Sequence, residues 1–296
     1  MFLVVSQSTI SKELKNNSGQ RGYRHKQAHE KSVLRRHQAS SVARKMTPQL
    51  IQLIEKMLKD DQLSPEQISG RLKLMLSIKI STEQIYRHIW NNKRNGGDLY
   101  NNLRCSGKKY NKRSGKHSGR GLIPNRIGIE HRPVEVAEKL RVGDFEGDTI
   151  VGTNHRGAIV SIVDRKTKIT FLRLISGPKA NETADAIIDA LKPLRGHIHT
   201  MTTDNGKEFS AHENIANALK IEFFFANPYH SWERGLNENT NGLVRQYFAK
   251  GTDFTKLTYE QVFEVEKKLN NRPRKTLGFR TPSEEFLRLT GYALRS

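Results

Sequence analysis

The sequence lacks the features that several classes of protein require. Cys105 is the only cysteine in 296 residues, which excludes disulfide bonds within the chain and zinc sites built from several cysteines. No run of 18 apolar residues is present to span a bilayer. The opening Met-Phe-Leu-Val-Val is too short for the hydrophobic region of a signal peptide and has no basic segment before it. These absences predict a protein of a reducing compartment, the cytoplasm.

Acidic residues are scarce in the first part of the chain. Residues 1–132 contain 27 Lys and Arg against 9 Asp and Glu, whereas residues 133–296 contain 24 against 21, so nearly all of the net charge of +21 lies in the first part. No strongly amphipathic basic helix indicates a membrane surface. The imbalance therefore predicts a basic region that binds a polyanion, joined to an ordinary globular domain. DNA is the expected partner, which would place the protein at the nucleoid.

The basic part contains several predicted helices. Residues 8–19 form a short helix with Ser8 as its N-cap, which belongs to residues 1–45, a remnant of a first helix-turn-helix followed by a basic arm. Three further helices, capped by Thr47, Ser64 and Ser81, predict a helix-turn-helix domain over residues 46–100, with Met75 and Trp90 among its inward-facing side chains. Its third helix would be the recognition helix and offers to DNA Thr82, Gln84, Arg87 and His88. A three-helix bundle that binds no DNA is the alternative.

A basic segment without acids follows. Residues 104–121 hold seven Lys and Arg and are rich in glycine and serine, so they cannot bury a core and predict a flexible linker over residues 101–132. Such a segment follows phosphates without reading bases, and its candidate contacts are Lys108, Lys109, Lys112 and Arg113. A solvated tether with no DNA contacts is an equal alternative.

From residue 142 the pattern changes to β-branched, apolar segments. The order of predicted elements is β-β-β-α-β-α-β-α, which indicates an α/β domain with a mixed five-stranded sheet and helices on its faces over residues 133–252. Residues 253–296 contain two more predicted helices around a proline-bounded loop, a C-terminal helical extension.

Acidic residues of this domain mark three candidate positions. Asp144, Glu146 and Asp148 alternate along the first strand, so all three point to one face of the sheet. Asp204 stands at the carboxyl end of a strand, just before an Asn-Gly turn. Glu238 lies in a helix that is unusually rich in asparagine and glycine, both poor helix formers, which indicates a face built for contacts.

Three carboxylates from separate elements can hold a hard divalent cation, and two such ions can clamp the attacking and leaving oxygens of a phosphodiester. From the residues alone this site and a set of unrelated structural acids remain open alternatives. Strand alternation also cannot rank the three acids of the first strand.

Five motifs in order carry a resemblance to a known family. They are SPEQISGRL with STEQIYRHIW, FEGDTIVG, TTDNGKEF, WERGLNENTNGLVRQYF and NNRPRKTLGFRTP. Together they resemble the insertion-sequence-thirty family of bacterial transposases, of the DDE group, over almost the whole chain. The resemblance implies a catalytic core with the ribonuclease-H-like fold that retroviral integrases share, and Mg²⁺ or Mn²⁺ as cofactor, with two ions in the active complex.

The resemblance also selects residues. The first acid of the family lies in a Trp/Phe-Glu-x-Asp pattern, which here falls on Asp148, and the 33 residues between Asp204 and Glu238 resemble the family's spacing. It thus implies that the catalytic and metal-ligating residues are Asp148, Asp204 and Glu238. Asp144 is then expected to be solvated, and Glu146 to be a neighbour rather than a ligand.

Further residues of the motifs are expected to support the triad. Asn205 and Gly206 shape the turn that aims Asp204. Arg234 and Arg245 lie four residues before and seven after Glu238, which makes them candidate phosphate ligands. Ordinary arginines on a helix surface are an equal alternative for these two.

The implied activity is DNA transposition. The protein would bind the ends of its insertion sequence, hydrolyse a phosphodiester there and use the freed 3′-OH to attack target DNA, as at least a dimer. One alternative is a truncated regulator that binds the ends without cutting, and another is a nuclease of the ribonuclease H type without strand transfer. Helices that precede residue 8 in the family are missing, so the chain is expected to be shortened at its N-terminus. Ala249 also replaces a proline that the family usually has.

Overall fold

The computed structural model describes residues 5–42, 46–104, 123–227 and 230–293. The chain divides into two compact units, residues 1–55 and residues 56–296. Helix α3, Pro48–Lys59, crosses the boundary between them. No helix in the described ranges combines the length and the hydropathy needed to cross a bilayer. The domain limits predicted from the sequence remain a prediction.

The first unit contains two helices in contact, α1 (Gln7–Asn17) and α2 (His25–Val42). Ser6, not Ser8, caps α1 by accepting the backbone N–H of Thr9. Lys31 Nζ donates to the carbonyl of Ser18 at 2.8 Å and helps to hold α2 against the turn. Part of the predicted basic arm thus forms α2, an 18-residue helix. Its apolar residues follow no helical stripe, so periodicity gave no signal for it.

The second unit begins with the remainder of α3, followed by α4 (Pro65–Leu76) and α5 (Thr82–Arg94). Both α4 and α5 start with a capping box, formed by Ser64 with Gln67 and by Ser81 with Gln84. The inward placement of Met75 and Trp90 was wrong, because these side chains are 61% and 42% exposed. Met75 lies in the last turn of α4, and Trp90 lies beneath Lys93 on the surface of α5.

A mixed sheet of five strands forms the centre of the second unit. The strands are β1 (Asp144–Val151), β2 (Ala158–Asp164), β3 (Thr170–Ile175), β4 (Thr200–Thr203) and β5 (Glu222–Phe225). Their order in the sheet is β3-β2-β1-β4-β5. The first three strands are antiparallel, whereas β1 pairs with β4 and β4 with β5 in parallel. The predicted mixed α/β architecture is confirmed.

Helices cover both faces of this sheet. They are α6 (Val134–Glu138), α7 (Ala180–Leu191), α8 (His212–Leu219), α9 (Gly235–Tyr247), α10 (Tyr259–Asn270) and α11 (Pro282–Thr290). On one face, Val160 and Ile162 of β2 join the core that contains α7 and α8. On the other face, Ile159 joins the core formed with α9 and α10. Alternation along β2 therefore separates two cores and fixes α9 on the face opposite α7.

Helix α4 is attached to the C-terminal part of the second unit. Arg71 donates to both carboxylate oxygens of Glu284, one at 2.8 Å, and Gln67 donates to the carbonyl of Pro273 at 2.8 Å. Arg272 is buried and donates to Gln246 of α9 at 2.7 Å and to the carbonyl of Gln62 at 2.8 Å. The segment that follows α10 thus connects the predicted DNA-binding helices to α9.

Gly70 provides a test of this attachment. A Cβ at Gly70 would lie 2.2 Å from the ring of Phe279, so Gly70→Ala must displace the ring. We expect Gly70→Ala to lower the free energy of unfolding by about 1–3 kcal/mol in chemical denaturation. Gly177→Ala is the control, because a Cβ there meets no atom within 4 Å. Equal stability of the two variants would contradict the packing described.

Candidate active site

The register of the sheet brings Asp148 and Asp204 to the same level. Strands β1 and β4 are parallel and pair Glu146 with Thr202. Two residues further along each strand direction stand Asp148, within β1, and Asp204, directly after β4. Because side chains alternate along strands, both carboxylates leave the sheet on the same side.

The turn after β4 fixes the direction of Asp204. The N–H of Gly206 donates to Asp204 Oδ1 at 2.9 Å. The buried side chain of Asn205 donates to the carbonyl of Ala226 at 2.7 Å and accepts from Arg126 Nη1 at 2.6 Å. The end of β4 is thus tied to the end of β5 and to the segment that precedes the sheet.

Helix α9 holds the acids of β1 through its asparagines. Asn241 donates from Nδ2 to Asp148 Oδ2 at 2.8 Å and accepts from Ser161 Oγ at 2.9 Å. One turn earlier, the backbone N–H of Asn237 donates to Glu146 Oε2 at 3.2 Å. These two contacts align the first two turns of α9 with β1.

Glu238 lies between those contacts on the exposed side of α9. It borders a cleft of about 510 Å³ together with Asp148. The other residues of the cleft wall are Thr149, Ile150, Val151, Arg234, Asn241, Gly242 and Arg245. The fold therefore places two of the three predicted acids on one cleft, with Asp204 beside it across Arg234.

Arg234 occupies the space between the two aspartates. Its Nη1 donates to the carbonyl of Gly147 at 2.9 Å and lies 3.8 Å from Asp148 Oδ1. Its Nη2 lies 3.4 Å from Asp204 Oδ2, and only 12% of the side chain is exposed. One guanidinium thus offsets the charge of both carboxylates.

The electrostatic environment of Asp148 favours its protonated form. Burial raises the pKa of Asp148 to about 6, and the charge of Asp204 adds to this rise. Arg234 and the hydrogen bonds from Thr149 and Asn241 act in the opposite direction on the pKa. Burial is thus the main reason that Asp148 takes up a proton more readily than an exposed aspartate, even with Arg234 in place.

The other two acids of β1 have different surroundings. Asp144 is completely buried, so the expectation that it is solvated was wrong. It accepts hydrogen bonds from Arg141 and from Thr200 Oγ1, which supply the polar contacts that water would otherwise give. Glu146 is also buried and forms an ion pair with Arg165.

The carboxylates of Asp148 and Asp204 are suited to bind one divalent cation together. Within the described ranges, no three histidine, cysteine or acidic side chains converge closely enough to form a metal-binding group. Asp148 and Asp204 nevertheless face one shared cation, the guanidinium of Arg234, and carboxylate oxygens are the ligands that Mg²⁺ prefers. Glu238 stands at the wall of the same cleft as a third oxygen donor.

Comparison with known proteins shows which family the chain belongs to. No family model matches it. It is 48% identical over 283 residues to the transposase of insertion sequence IS4351 of Bacteroides fragilis, covering 95% of this chain and 86% of that one. It is 33% identical over 297 residues to the transposase of IS30C of Escherichia coli K12, covering 94% and 75%. The chain belongs to the IS30 family of transposases.

A further relative agrees with this family. The transposase of IS1086 of Cupriavidus metallidurans is 32% identical, with 93% of this chain and 84% of that one covered. Among solved structures, the catalytic core of BIV integrase is 22% identical with a TM-score of 0.39, covering 49% of this chain and 93% of that one.

The predicted DNA contacts of this IS30-family chain lie in three places. On α5, Arg87 is exposed and pairs with Glu83, Thr82 and His88 are half-buried, and Gln84 accepts the N–H of Ser81. Arg245 lines the cleft that Asp148 and Glu238 border and donates to the carbonyl of Val151 at 2.8 Å. The remaining four lie outside the described residues: Lys108, Lys109, Lys112 and Arg113.

The sequence analysis did not predict the roles of two residues of the site. Asn241 contacts Asp148, and Arg126 contacts Asn205 beside Asp204. The excess of asparagine in α9 was a usable signal for Asn241. Arg126 stands 78 residues before Asp204 in a basic segment, where nothing distinguishes it from its neighbours.

The position of Arg234 predicts competition with metal ions. In Arg234→Gln the guanidinium between the two aspartates is lost. We therefore expect Mn²⁺ to bind the DNA-free variant about fivefold to tenfold more tightly than it binds the wild type. Isothermal titration calorimetry measures this directly.

Arg245→Gln is the matched control, because it removes the same charge from the same cleft without touching either aspartate. Unchanged Mn²⁺ affinity in Arg234→Gln would show that the guanidinium does not compete with Mn²⁺ for the position between the aspartates.

Proposed function

We propose that this chain is a DNA transposase that cuts DNA at the ends of its insertion sequence and joins the freed 3′-OH to target DNA. The observation that carries this proposal is the pair of aspartates, Asp148 in β1 and Asp204 directly after the neighbouring β4, that both lie close to the guanidinium of Arg234. The names of relatives that match nearly the whole chain support it.

Asp148, Asp204 and Glu238 are the proposed catalytic acids and the proposed ligands of two Mg²⁺ or Mn²⁺ ions. When bound, such ions neutralise charge on a phosphodiester and lower the pKa of attacking oxygens. Asn241 holds Asp148, and Asn205 and Gly206 hold Asp204 in the required direction. No side-chain nucleophile is needed for this chemistry.

Positively charged residues around the acids would bind the DNA strand. Arg245 lines the cleft beside Glu238, where its guanidinium can approach a backbone phosphate. Arg234 would also bind a backbone phosphate once a divalent cation displaces its guanidinium from between the aspartates. Both assignments rest on their position at the cleft wall.

DNA ends would be recognised by α5 and its neighbours, with additional phosphate contacts from the basic segment at residues 104–121. Two copies of the protein on paired ends would form the active assembly. The exposure of Arg87 on α5 supports a role of this helix in the major groove.

The catalytic proposal is tested with Asp204→Asn. Wild-type protein with Mg²⁺ or Mn²⁺ should nick DNA that carries the element's terminal repeats, and Asp204→Asn should reduce the rate by at least about a thousandfold, because a charged cation ligand is lost. Binding of the same DNA, measured by gel shift, should persist.

Asp185→Asn serves as the control, since Asp185 is an exposed acid of α7 away from the cleft. Equal nicking by wild type and Asp204→Asn would overturn the assignment of the acids. Binding without nicking by the wild type would instead identify a regulator that occupies the ends.

The recognition proposal is tested with Arg87→Ala. If Arg87 contacts a base edge, the variant should lose about 1–3 kcal/mol of binding free energy for the terminal repeat and little for unrelated DNA. Fluorescence anisotropy with both DNAs at fixed salt measures this difference. An equal loss for both sequences would assign Arg87 to phosphate contacts only.

A further inference from the structure

A second cavity lies beside the first turns of α9, opposite the catalytic cleft. It has a volume of about 310 Å³. Four cationic side chains line it, against two carboxylates. The charged residues of its wall are Lys139, Arg165, Lys168, Arg274, Glu146 and Glu233.

Both carboxylates of the wall are already satisfied. Glu146 forms its ion pair with Arg165 and accepts the N–H of Asn237. Glu233 accepts from the backbone and side chain of Asn227, at 2.8 and 3.2 Å, and interacts with His230. Both acids are thus held by other groups, and the attraction of Glu146 and Asp164 for Lys168 does not outweigh the effect of burial on the pKa of that lysine.

The remaining three cations have no carboxylate partner among the described residues. Lys168 donates to the carbonyl of Arg165, and Lys139 forms no ion pair there. Arg274 donates from Nη2 to the carbonyl of Leu269 at 3.2 Å, but its buried Nε has no hydrogen-bond partner. Buried donors without partners are costly and mark a place where a ligand belongs.

The local electrostatics agree with an excess of positive charge. Burial, together with the charge of Lys139, lowers the pKa of Lys168 to about 8. Burial, together with the charge of Arg272, lowers the pKa of Arg274 to about 10. An anion in the cavity would reverse both shifts.

The position of the cavity suggests where such an anion comes from. Gly235, Leu236, Asn239 and Thr240 of α9 line the basic cavity, whereas Glu238, Asn241 and Gly242 line the catalytic cleft. Only the width of one helix separates the two. Gly235, Asn239 and Gly242 are exposed and small, so a strand can pass close to the helix backbone between them.

We propose that this cavity binds a phosphate group of the DNA strand whose scissile bond lies in the catalytic cleft across α9. The inference rests on the proposed function and names a contact of its substrate. Lys168 and Arg274 supply the charge, and Asn239 and Thr240 offer hydrogen bonds. The wall contains Leu236 as its one large apolar residue, so an apolar ligand does not fit.

The test compares Lys168→Gln and Arg274→Gln with the control Lys166→Gln. Lys166 lies in the same turn between β2 and β3 but does not line the cavity. Binding of a fluorescent duplex that carries the terminal repeat is measured as a function of salt, without divalent ions. Each cavity variant should bind about threefold to tenfold more weakly, with the salt slope reduced by about one, and the control should match wild type.

A second measurement separates the DNA backbone from free phosphate. Thermal unfolding is followed with inorganic phosphate and with chloride at equal ionic strength. Without phosphate, Lys168→Gln should be at least as stable as wild type, because a repelling charge is removed. Phosphate should raise the Tm of wild type more than that of Lys168→Gln.

The outcomes distinguish this inference from the proposed function. Salt slopes equal to wild type in both cavity variants overturn the inference, even if the enzyme nicks DNA normally. If the cavity variants differ from wild type only in the Tm shift with inorganic phosphate, and not in DNA binding, the cavity binds a free anion. That result also overturns the inference. A wild type that binds DNA through the cavity but never nicks overturns the proposed function instead.

Discussion

The structure of the second unit depends on how three carboxylates on one face of β1 are neutralised. Each has its own arginine, from a different place in the chain: Arg141 for Asp144, Arg165 for Glu146 and Arg234 for Asp148. Crowded acids that are partly or fully removed from water would otherwise raise the free energy of the fold. Arg165 lies just beyond β2 and Arg234 just before α9. Neutralising the acids therefore also fixes β1 against β2 and positions the start of α9.

The three arginines differ in how firmly they are held. Arg165 is buried, forms an ion pair with Glu146 and donates to the carbonyl of Val136, so this pair is a permanent part of the core. Arg234 lies at 3.8 and 3.4 Å from two carboxylates, with a direct hydrogen bond only to a carbonyl. A small divalent ion can supply more charge at shorter distances to the same oxygens. The position between Asp148 and Asp204 is therefore the one at which we propose that a divalent ion replaces the guanidinium.

Much of this arrangement is encoded locally, and some of it is not. Periodicity and turn residues gave the order of strands and helices, whereas only the resemblance to the transposase family selected Asp148 among the three acids. The burial of Asp144 was missed because its partner Thr200 meets it only when β1 pairs with β4, although Arg141 is just three residues away in the sequence. The basic cavity was missed for the same reason, since its cations come from three separate segments. Long-range pairing decides the environment of a charge, and a single sequence does not display it.

The contacts of α9 explain its unusual content of asparagine and glycine. Asparagine and glycine each weaken a helix, glycine by about 1 kcal/mol relative to alanine. Asn241 returns part of that loss through the hydrogen bond of its side chain to Asp148, which an alanine could not make. The bond from residue 237 to Glu146 comes from the backbone N–H, so it does not depend on asparagine. The exposed glycines, Gly235 and Gly242, make no such bonds, and a Cβ at Gly235 would meet nothing within 4 Å. Packing within the protein does not require glycine there, whereas a nucleic acid strand lying against the helix would.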